Sequence, residues 1–253
     1  MTEQEFIPKC AMSIHAHPDD QEFTVAGLLA RWVQAGCQVI SVIVTSGGAG
    51  SNDPSRDADY MSELATLREA EQTAANSVIG IRDTVFLHYP DGVLEPTLGL
   101  RHDLTRVIRQ YKPEAVVTAD PQGVFYGNGY INHPDHRAAA QAALYAVFPS
   151  SETRLIFTDL LKEGLEPHKV KRLYVHGSEK SDIWEDIAGT IDTKISALKK
   201  HVSQLGVWDP EKMIREWAAD EGKDHGLKYA ESYKVMVLDE DEERVKNTSD
   251  STP

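Results

Sequence analysis

The stretch that decides the fold is residues 10–20, Cys-Ala-Met-Ser-Ile-His-Ala-His-Pro-Asp-Asp, in which a short apolar run ends in two histidines and two aspartates. The apolar run predicts a buried β-strand, and residues 21–35 carry apolar side chains at the spacing of a helix. Residues 38–45 are a β-branched run and predict a second strand. A strand–helix–strand unit of about 35 residues is the usual size of a right-handed parallel crossover.

The same alternation continues along the chain. The expected helices are 61–79, 100–111, 137–147, 192–205 and 210–220, and the expected further strands are 84–89, 114–119, 171–176 and 234–238. Strands that alternate with helices indicate an α/β fold with a mainly parallel, doubly wound sheet. We predict a single domain over residues 1–238, followed by an acidic, disordered tail at 239–253.

Charge and composition exclude several classes of partner. The net charge of -14 disfavours nucleic acid and anionic membrane surfaces, which attract basic proteins. Residues 1–5 are acidic and lack the positive and apolar stretches typical of a signal peptide, and no run approaches the roughly 18 apolar residues that suggest a membrane span. We therefore expect a cytoplasmic protein with no nucleic-acid or membrane partner, in which Cys10 and Cys37 are buried free thiols.

Two polar clusters carry the chemistry. One is residues 15–20, His-Ala-His-Pro-Asp-Asp, and the other is residues 132–137, Asn-His-Pro-Asp-His-Arg. Parallel α/β sheets bind their ligands outside the carboxyl ends of the strands, where the first cluster lies. Two imidazoles and one carboxylate, with water as a fourth ligand, form a common catalytic zinc site. Such a centre suits the hydrolysis of an amide or ester.

Spacing suggests how each cluster divides its work. His17 and Asp20 are three residues apart, so a turn places them on one side, while Asp19 between them can reach a metal-bound water. His133 and His136 are also three apart and lie together on one face of a helix. We expect His15 to be a packed neighbour of the site and not a ligand.

Other interpretations remain open. The same residues fit helix caps, with Asn132 or His133 at the N-cap and Pro134 at the first helical position. In that case the protein is a non-catalytic nucleotide- or sugar-binding module. A magnesium phosphohydrolase is disfavoured, because magnesium prefers oxygen ligands to histidine.

Several residues between the clusters have plain structural explanations. Arg68 and Glu71, three apart on a predicted helix, suggest a surface ion pair, and Asp91 in Pro90-Asp91-Gly92 suggests a turn. The glycine-rich loop at 45–51 lacks the Gly-Lys-Ser/Thr ending of a phosphate-binding loop, so we expect a flexible rim of the pocket.

At this point the motifs match a known family. His17-Pro18-Asp19-Asp20 resembles the first signature of the PIG-L/LmbE family of zinc-dependent N-deacetylases, and residues 133–137 resemble the second. The likeness is dense from Met12 to Val147, with weaker echoes at Arg68, Glu71, Asp91 and residues 201–204. Many members continue the first signature as Asp-Asp-Glu, whereas this chain has Gln21 before Glu22. We therefore assign Glu22 no catalytic role.

The resemblance implies a fold and a mechanism. The fold would be a Rossmann-like sheet without a dinucleotide. Zn²⁺ would be bound by His17, Asp20 and His136. Asp19 would act as general base, His133 would stabilise the oxyanion or protonate the leaving amine, and Asp135 would orient a neighbouring histidine.

The resemblance also implies a substrate class. Members remove acetyl groups from N-acetylglucosamine-type small molecules, and some cleave non-sugar amides such as thiol conjugates. The candidate substrate-binding residues are Arg68, Asp91, Tyr126 and Asn132. By analogy with the family, we expect a homo-oligomer, either a trimer or a hexamer.

Overall fold

The computed structural model describes residues 6–239, which fold into nine strands and nine α-helices. The strands are β1 Cys10–His15, β2 Gln38–Thr45, β3 Asp83–Tyr89, β4 Ala115–Ala119, β5 Phe125–Tyr126, β6 Tyr130–Ile131, β7 Arg172–His176, β8 Ile183–Asp186 and β9 Ala230–Val237. The helices are α1 Asp20–Thr24, α2 Ala26–Gln34, α3 Ala58–Ile79, α4 Leu98–Tyr111, α5 Pro134–Tyr145, α6 Thr158–Lys162, α7 Ile191–Leu198, α8 Val202–Leu205 and α9 Glu211–Gly222.

Seven strands form one sheet in the order β3-β2-β1-β4-β7-β9-β8. The five strands from β3 to β7 in this order are parallel to one another, while β9 and β8 extend the sheet antiparallel. The predicted mainly parallel α/β fold is confirmed. The expected strand 234–238 begins earlier, at Ala230, and β8 and the small hairpin β5–β6 were not predicted. Apart from Asp239, the predicted tail lies outside the described residues.

Helices cover both faces of the sheet. Because neighbouring residues of a strand point to opposite faces, Met12 and Ile14 of β1 pack with the apolar sides of α4 and α5. Ala11, between them, belongs to the core on the other face, which includes Leu28 and Trp32 of α2. The sheet is therefore buried on both sides, as parallel sheets are.

The strand order sets the position of the site. β1 lies in the middle of the sheet, between β2 and β4, and β7 follows β4. The carboxyl ends of these four parallel strands meet at one edge, so the segments that follow them lie together. This is the edge at which open α/β sheets bind ligands.

The prediction of a single helix over residues 21–35 is wrong. The structure has two helices, α1 and α2, separated at Val25. At the break, a buried ion pair forms hydrogen bonds with backbone groups. The Lys194 ammonium donates to the carbonyl of Thr24 at 2.8 Å, and the Glu231 carboxylate accepts the N–H groups of Gly27 and Leu28. Lys194 and Glu231 lie 2.6 Å apart and are almost fully buried.

The helix expected over residues 192–205 is also two helices. α7 ends at Leu198, and His201 stands at the N-cap of α8. The carboxylate of Glu71, on α3, accepts hydrogen bonds from the backbone N–H and the hydroxyl of Ser203. His201 is fully buried, with its Nε2 atom 3.2 Å from Glu22. These tertiary contacts reorient α8 against α3 and end α7.

Two further expectations can be checked in the described chain. Cys10 and Cys37 are free thiols, as predicted, with Cys37 buried and Cys10 half-buried. Within residues 6–239, none of the helices combines the length and the apolarity that a membrane crossing requires.

The ion pair at the α1–α2 break gives a test of the fold. Glu231→Ala should lower the free energy of unfolding by about 3–5 kcal/mol, because it leaves the Lys194 ammonium buried without a counter-charge. Urea unfolding followed by circular dichroism measures the change. Glu163→Ala, which removes an exposed partner of Arg106, is the control and should cost far less. Equal losses in the two variants would show that the buried pair does not hold the break.

Candidate metal centre

The three ligand candidates come together at the carboxyl end of β1. The chain leaves the strand at His15 and turns into α1 at Asp20. One carboxylate oxygen of Asp20 accepts the backbone N–H of His17 at 2.8 Å and lies 3.4 Å from Nδ1 of its ring. The other lies 3.0 Å from Nε2 of His136, on the first turns of α5. The Asp20 carboxylate thus lies between the imidazoles of His17 and His136, the three residues that the family resemblance implies as ligands.

The hydrogen bonds around His136 determine its tautomer, that is, which ring nitrogen carries the proton. The side-chain N–H of Asn132 donates to the carbonyl of Gly123 at 2.8 Å, which sets the orientation of the amide. Its oxygen therefore faces Nδ1 of His136, at 3.0 Å. An amide oxygen only accepts, so Nδ1 carries the proton and Nε2 of the neutral ring has a lone pair.

This arrangement leaves two acceptors in contact. The lone pair of His136 Nε2 and the carboxylate oxygen of Asp20 face each other at 3.0 Å. Either a second proton on His136 or a cation must lie between such groups. Because His17 presents a third donor atom to the same carboxylate, the residues fit a metal ion. Two imidazoles and one carboxylate form a donor set that zinc accepts.

Among the described residues, two groups of donor atoms lie within 4.8 Å of one another, and neither includes Asp20; the first joins His17, His133 and His136. His133 is the N-cap of α5, and its Nδ1 accepts the backbone N–H of Asp135 at 3.2 Å. The proton of the neutral ring is therefore on Nε2. Since Nδ1 accepts a hydrogen bond and Nε2 carries the proton, the neutral ring has no free lone pair, and His133 is less suited to bind a metal than Asp20.

The second group joins His17 to Asp91 and Asp135. Asp135 is fully buried and accepts the backbone N–H groups of Gly92 and Leu94, at 2.7 and 3.1 Å. Nε2 of His17 is 3.0 Å from Asp91 and 3.5 Å from Asp135, although neither contact has hydrogen-bond geometry. These carboxylates face the ring nitrogen that points away from Asp20. They suit an orienting role of the kind that commonly supports metal-bound histidines.

The opposite charges of His17 and Asp20 shift each other's pKa in the direction that favours the ionised form. Burial lowers the pKa of His17, but the carboxylates of Asp20, Asp135 and Asp91 outweigh it and hold that pKa well above its usual value. Burial also raises the pKa of Asp20, but His136 and His17 outweigh it and hold that pKa well below its usual value. The Asp20 carboxylate is therefore ionised at neutral pH, as a metal ligand must be.

Asp19 points away from this cluster. Its backbone has φ 85, a left-handed conformation that is rare outside glycine, and its N–H donates to the side chain of Gln72 at 3.0 Å. The carboxylate lies 3.3 Å from the guanidinium of Arg68. Burial first, and then the neighbouring Asp20, raise the pKa of Asp19 to about 7, against the opposing effect of Arg68.

Arg68 is not the surface residue that its spacing from Glu71 suggested. It is 5% exposed and donates to the carbonyls of Gly47 and Pro18, at 2.9 and 2.7 Å. Gly47 has φ 67, and a Cβ atom there would lie 2.2 Å from the Arg68 guanidinium. The glycine-rich loop therefore packs directly against Arg68. Ala49 and Gly50 of this loop form part of the pocket rim, as expected.

A cavity of about 960 Å³ opens over the cluster. Its wall includes Asp19, Arg68 and His133 together with the aromatic side chains of Tyr126, Tyr130 and Trp217. Of the predicted substrate-binding residues, Arg68, Asp91, Tyr126 and Asn132 all line the cavity. The Asn132 side chain is nevertheless committed to His136 and Gly123, and the Tyr126 hydroxyl donates to the carbonyl of Gly177.

Two further polar residues lie near the centre: Glu22, which the sequence analysis named without a catalytic role, and His176, which it missed. Glu22 is fully buried and accepts hydrogen bonds from Gln21 and Gln72, so it has a structural role next to Asp19. His176 lines the cavity and contacts His15, which packs beside the centre as expected. The position of His176 at the carboxyl end of a predicted parallel strand was the signal that could have identified it.

Comparisons with known proteins agree with this geometry. The family model described as PIG-L, GlcNAc-PI de-N-acetylase, matches residues 12–147. A diacetylchitobiose deacetylase of Thermococcus kodakarensis is 28% identical over 233 residues, covering 90% of this chain and 83% of the relative. A 1D-myo-inositol 2-acetamido-2-deoxy-alpha-D-glucopyranoside deacetylase of Actinosynnema mirum is 30% identical over 239 residues, covering 79% and 82%.

A solved structure has the same architecture. The N,N'-diacetylchitobiose deacetylase of Pyrococcus horikoshii superposes with a TM-score of 0.82 at 28% identity, covering 91% of this chain and 84% of that one. The likeness extends beyond residue 147, where the match to the family model ends.

The choice of third ligand can be tested directly. Asp20→Asn should weaken zinc binding by more than about 10-fold, because it removes the charged oxygen between the two imidazoles. His133→Ala should keep the metal. Metal content per chain after dialysis against a graded chelator measures both. If His133→Ala loses the ion and Asp20→Asn keeps it, the three-histidine set is the correct one.

Proposed function

The chain belongs to the PIG-L family, and on that premise we propose that it is a zinc-dependent hydrolase that removes the acetyl group from an N-acetylglucosamine-type small molecule. Relatives at both levels of comparison are named as deacetylases, which hydrolyse amide bonds, and this chain is an enzyme of that class. Zinc as the ion, the individual residue roles and the exact substrate are our proposals.

One observation carries the proposal. The Asp20 carboxylate lies 3.4 Å from Nδ1 of His17 and 3.0 Å from Nε2 of His136, beside a large cavity. Asp19, which takes no part in this cluster, lines the same cavity. The site therefore holds a metal-binding set and a separate carboxylate, which are the parts that hydrolysis of an amide requires.

Zinc bound by His17, Asp20 and His136 would lower the pKa of water to about 7 and polarise the acyl carbonyl. Asp19 takes the proton of the attacking water as general base. Arg68 and Gln72 hold Asp19 in its left-handed conformation, through the carboxylate and the backbone N–H respectively. A positioned general base is typically worth about 10²–10⁴-fold in rate.

His133 supplies the second function. Because its Nδ1 accepts the N–H of Asp135, it presents Nε2–H as a donor. The side chain is 41% exposed and lines the cavity, so this donor is accessible to a substrate. It stabilises the developing oxyanion, and the proton that Asp19 has taken from the attacking water passes to the leaving amine. Asp91 and Asp135 orient His17, and Asn132 orients His136.

The cavity supports a neutral, sugar-like substrate. Arg68 is the only lysine or arginine among the described residues that line it, and its guanidinium is committed to Asp19 and two carbonyls. Tyr126, Tyr130 and Trp217 offer aromatic faces on which the apolar faces of sugar rings can pack. Among the described residues of the cavity wall, a polyanionic substrate would find no uncommitted lysine or arginine.

A non-sugar amide, such as a thiol conjugate, is the alternative substrate, since the same reacting groups would cleave it. Assembly into a trimer or hexamer and a cytoplasmic location stay predictions.

The proposed reaction has a direct assay. A panel of N-acetylglucosamine conjugates and non-sugar acetamides should release primary amine from the first group, measured with an amine-reactive fluorophore. Chelation should abolish release and added zinc should restore it. Release only from non-sugar amides would identify the alternative substrate, and no release from any acetamide would contradict the proposed function.

The substitution Asp19→Asn tests the proposed general base separately from metal binding. This variant should keep its metal and lose about 10²–10⁴-fold in kcat, because an amide cannot take the proton. Full metal occupancy together with an unchanged kcat would remove Asp19 from the mechanism.

A further inference from the structure

Two imidazoles that the proposed mechanism does not use touch each other at the wall of the cavity. His15 ends β1, and His176 ends β7. Their Nε2 atoms are 3.1 Å apart, and the rings stack with centroids 5.2 Å apart at an angle of 23°. Both residues line the cavity. A nitrogen–nitrogen hydrogen bond needs one donor and one acceptor, so the pair has a direction.

Ser13 sets that direction. Its hydroxyl lies 2.9 Å from Nδ1 of His15, the residue is 1% exposed, and this is its only side-chain hydrogen bond within residues 6–239. A buried hydroxyl that accepted from His15 would leave its own proton without a partner, which costs free energy. The Ser13 hydroxyl therefore donates to Nδ1, and the proton of the neutral His15 ring is on Nε2.

The direction continues to His176. The Nε2–H of His15 donates to Nε2 of His176, so the proton of His176 is on Nδ1. In the described part of the chain, Nδ1 of His176 has no hydrogen-bond partner, and the side chain is only partly buried. Desolvation, followed by the neighbouring His15, lowers the pKa of His176 well below its usual value, so the ring carries a single proton.

We propose that His176 is a substrate-binding residue whose Nδ1–H donates to an uncharged oxygen of the substrate, a hydroxyl or ring oxygen of the N-acylated sugar. Ser13 and His15 are positioning residues that hold its tautomer. The inference rests on the proposed function for the identity of the ligand, and it adds a contact that the metal centre and Asp19 do not supply.

An aromatic side chain of the cavity wall is held close to His176. The Tyr126 hydroxyl donates to the carbonyl of Gly177, the next residue, at 3.1 Å. This bond ties the β5–β6 hairpin to the end of β7 and places an aromatic ring beside the His176 donor. A sugar that packs on Tyr126 therefore has an N–H donor within the same part of the cavity wall.

The tautomers can be measured without any substrate. In protein labelled with ¹⁵N-histidine, long-range proton–nitrogen spectra distinguish rings that carry the proton on Nδ1 from rings that carry it on Nε2. We expect Nε2–H for His15 and Nδ1–H for His176, assigned with the variant His176→Phe. Ser13→Ala should change the His15 pattern and Ser13→Thr should restore it. A proton on Nε2 of His176 in the wild-type protein would overturn the proposal.

Binding gives the second readout. In the Asp19→Asn background, calorimetry should show that His176→Phe weakens N-acetylglucosamine about 10-fold, whereas His176→Asn, whose amide N–H replaces Nδ1–H, restores most of the affinity. His225→Asn is the control, because His225 is exposed and stacks on Trp184 outside the cavity. One monodeoxy analogue of the sugar should bind wild type and His176→Phe equally, since it lacks the oxygen that His176 contacts.

The outcomes separate the two proposals. Suppose that no acetamide is hydrolysed, but the spectra show the expected tautomers and His176→Phe lowers the affinity for the sugar. The binding role of His176 then stands and the proposed reaction is contradicted. If the wild-type enzyme deacetylates the sugar and His176→Phe leaves both KM and kcat unchanged, the reaction stands and the role of His176 is overturned.

Discussion

The structure depends on one contact between a lone pair and a charge. Nε2 of His136 faces the Asp20 carboxylate at 3.0 Å, and the hydrogen bond from Nδ1 to Asn132 leaves that nitrogen without a proton in the neutral ring. Two acceptors this close are unstable without a cation between them. The fold brings them together by placing β1 beside β4, so that the segments after the two strands share one edge. Either a metal ion or a second proton on His136 satisfies this contact, and the two imidazoles and the carboxylate are ligands that zinc accepts.

Further groups hold the contact in place. Asp135 and Asp91 flank His17, Arg68 and Gln72 hold Asp19, and Glu22 anchors the side of α1 that faces α3. All of them except Asp91 are buried polar groups whose desolvation is offset by specific partners, so the cost of moving any one of these is high. These contacts keep Asp19, the proposed general base, apart from Asp20, the proposed ligand, although the two residues are adjacent in sequence. Their separation relies on the left-handed backbone of Asp19.

Periodicity was sufficient for the parallel part of the fold, because β1, β2 and β4 are apolar runs and each polar cluster precedes a helix. It failed where a distant residue decides the local structure. Nothing between residues 21 and 35 indicates the break at Val25, which Glu231 and Lys194 stabilise from the far end of the chain. Arg68 was interpreted as a surface residue for the same reason, since its partners at Pro18 and Gly47 lie on other elements. The ligand candidates were accessible from spacing and resemblance, whereas the tautomers of His136, His15 and His176 follow only from coordinates.

The most direct test is crystallographic. Anomalous difference maps, recorded on either side of the zinc absorption edge from zinc-loaded crystals, locate the ion independently of any assay. The account predicts one strong peak bonded to His17, Asp20 and His136, at distances of about 2.0–2.2 Å. A peak that leaves out Asp20, or crystals whose maps show no zinc signal at this edge of the sheet, would contradict it.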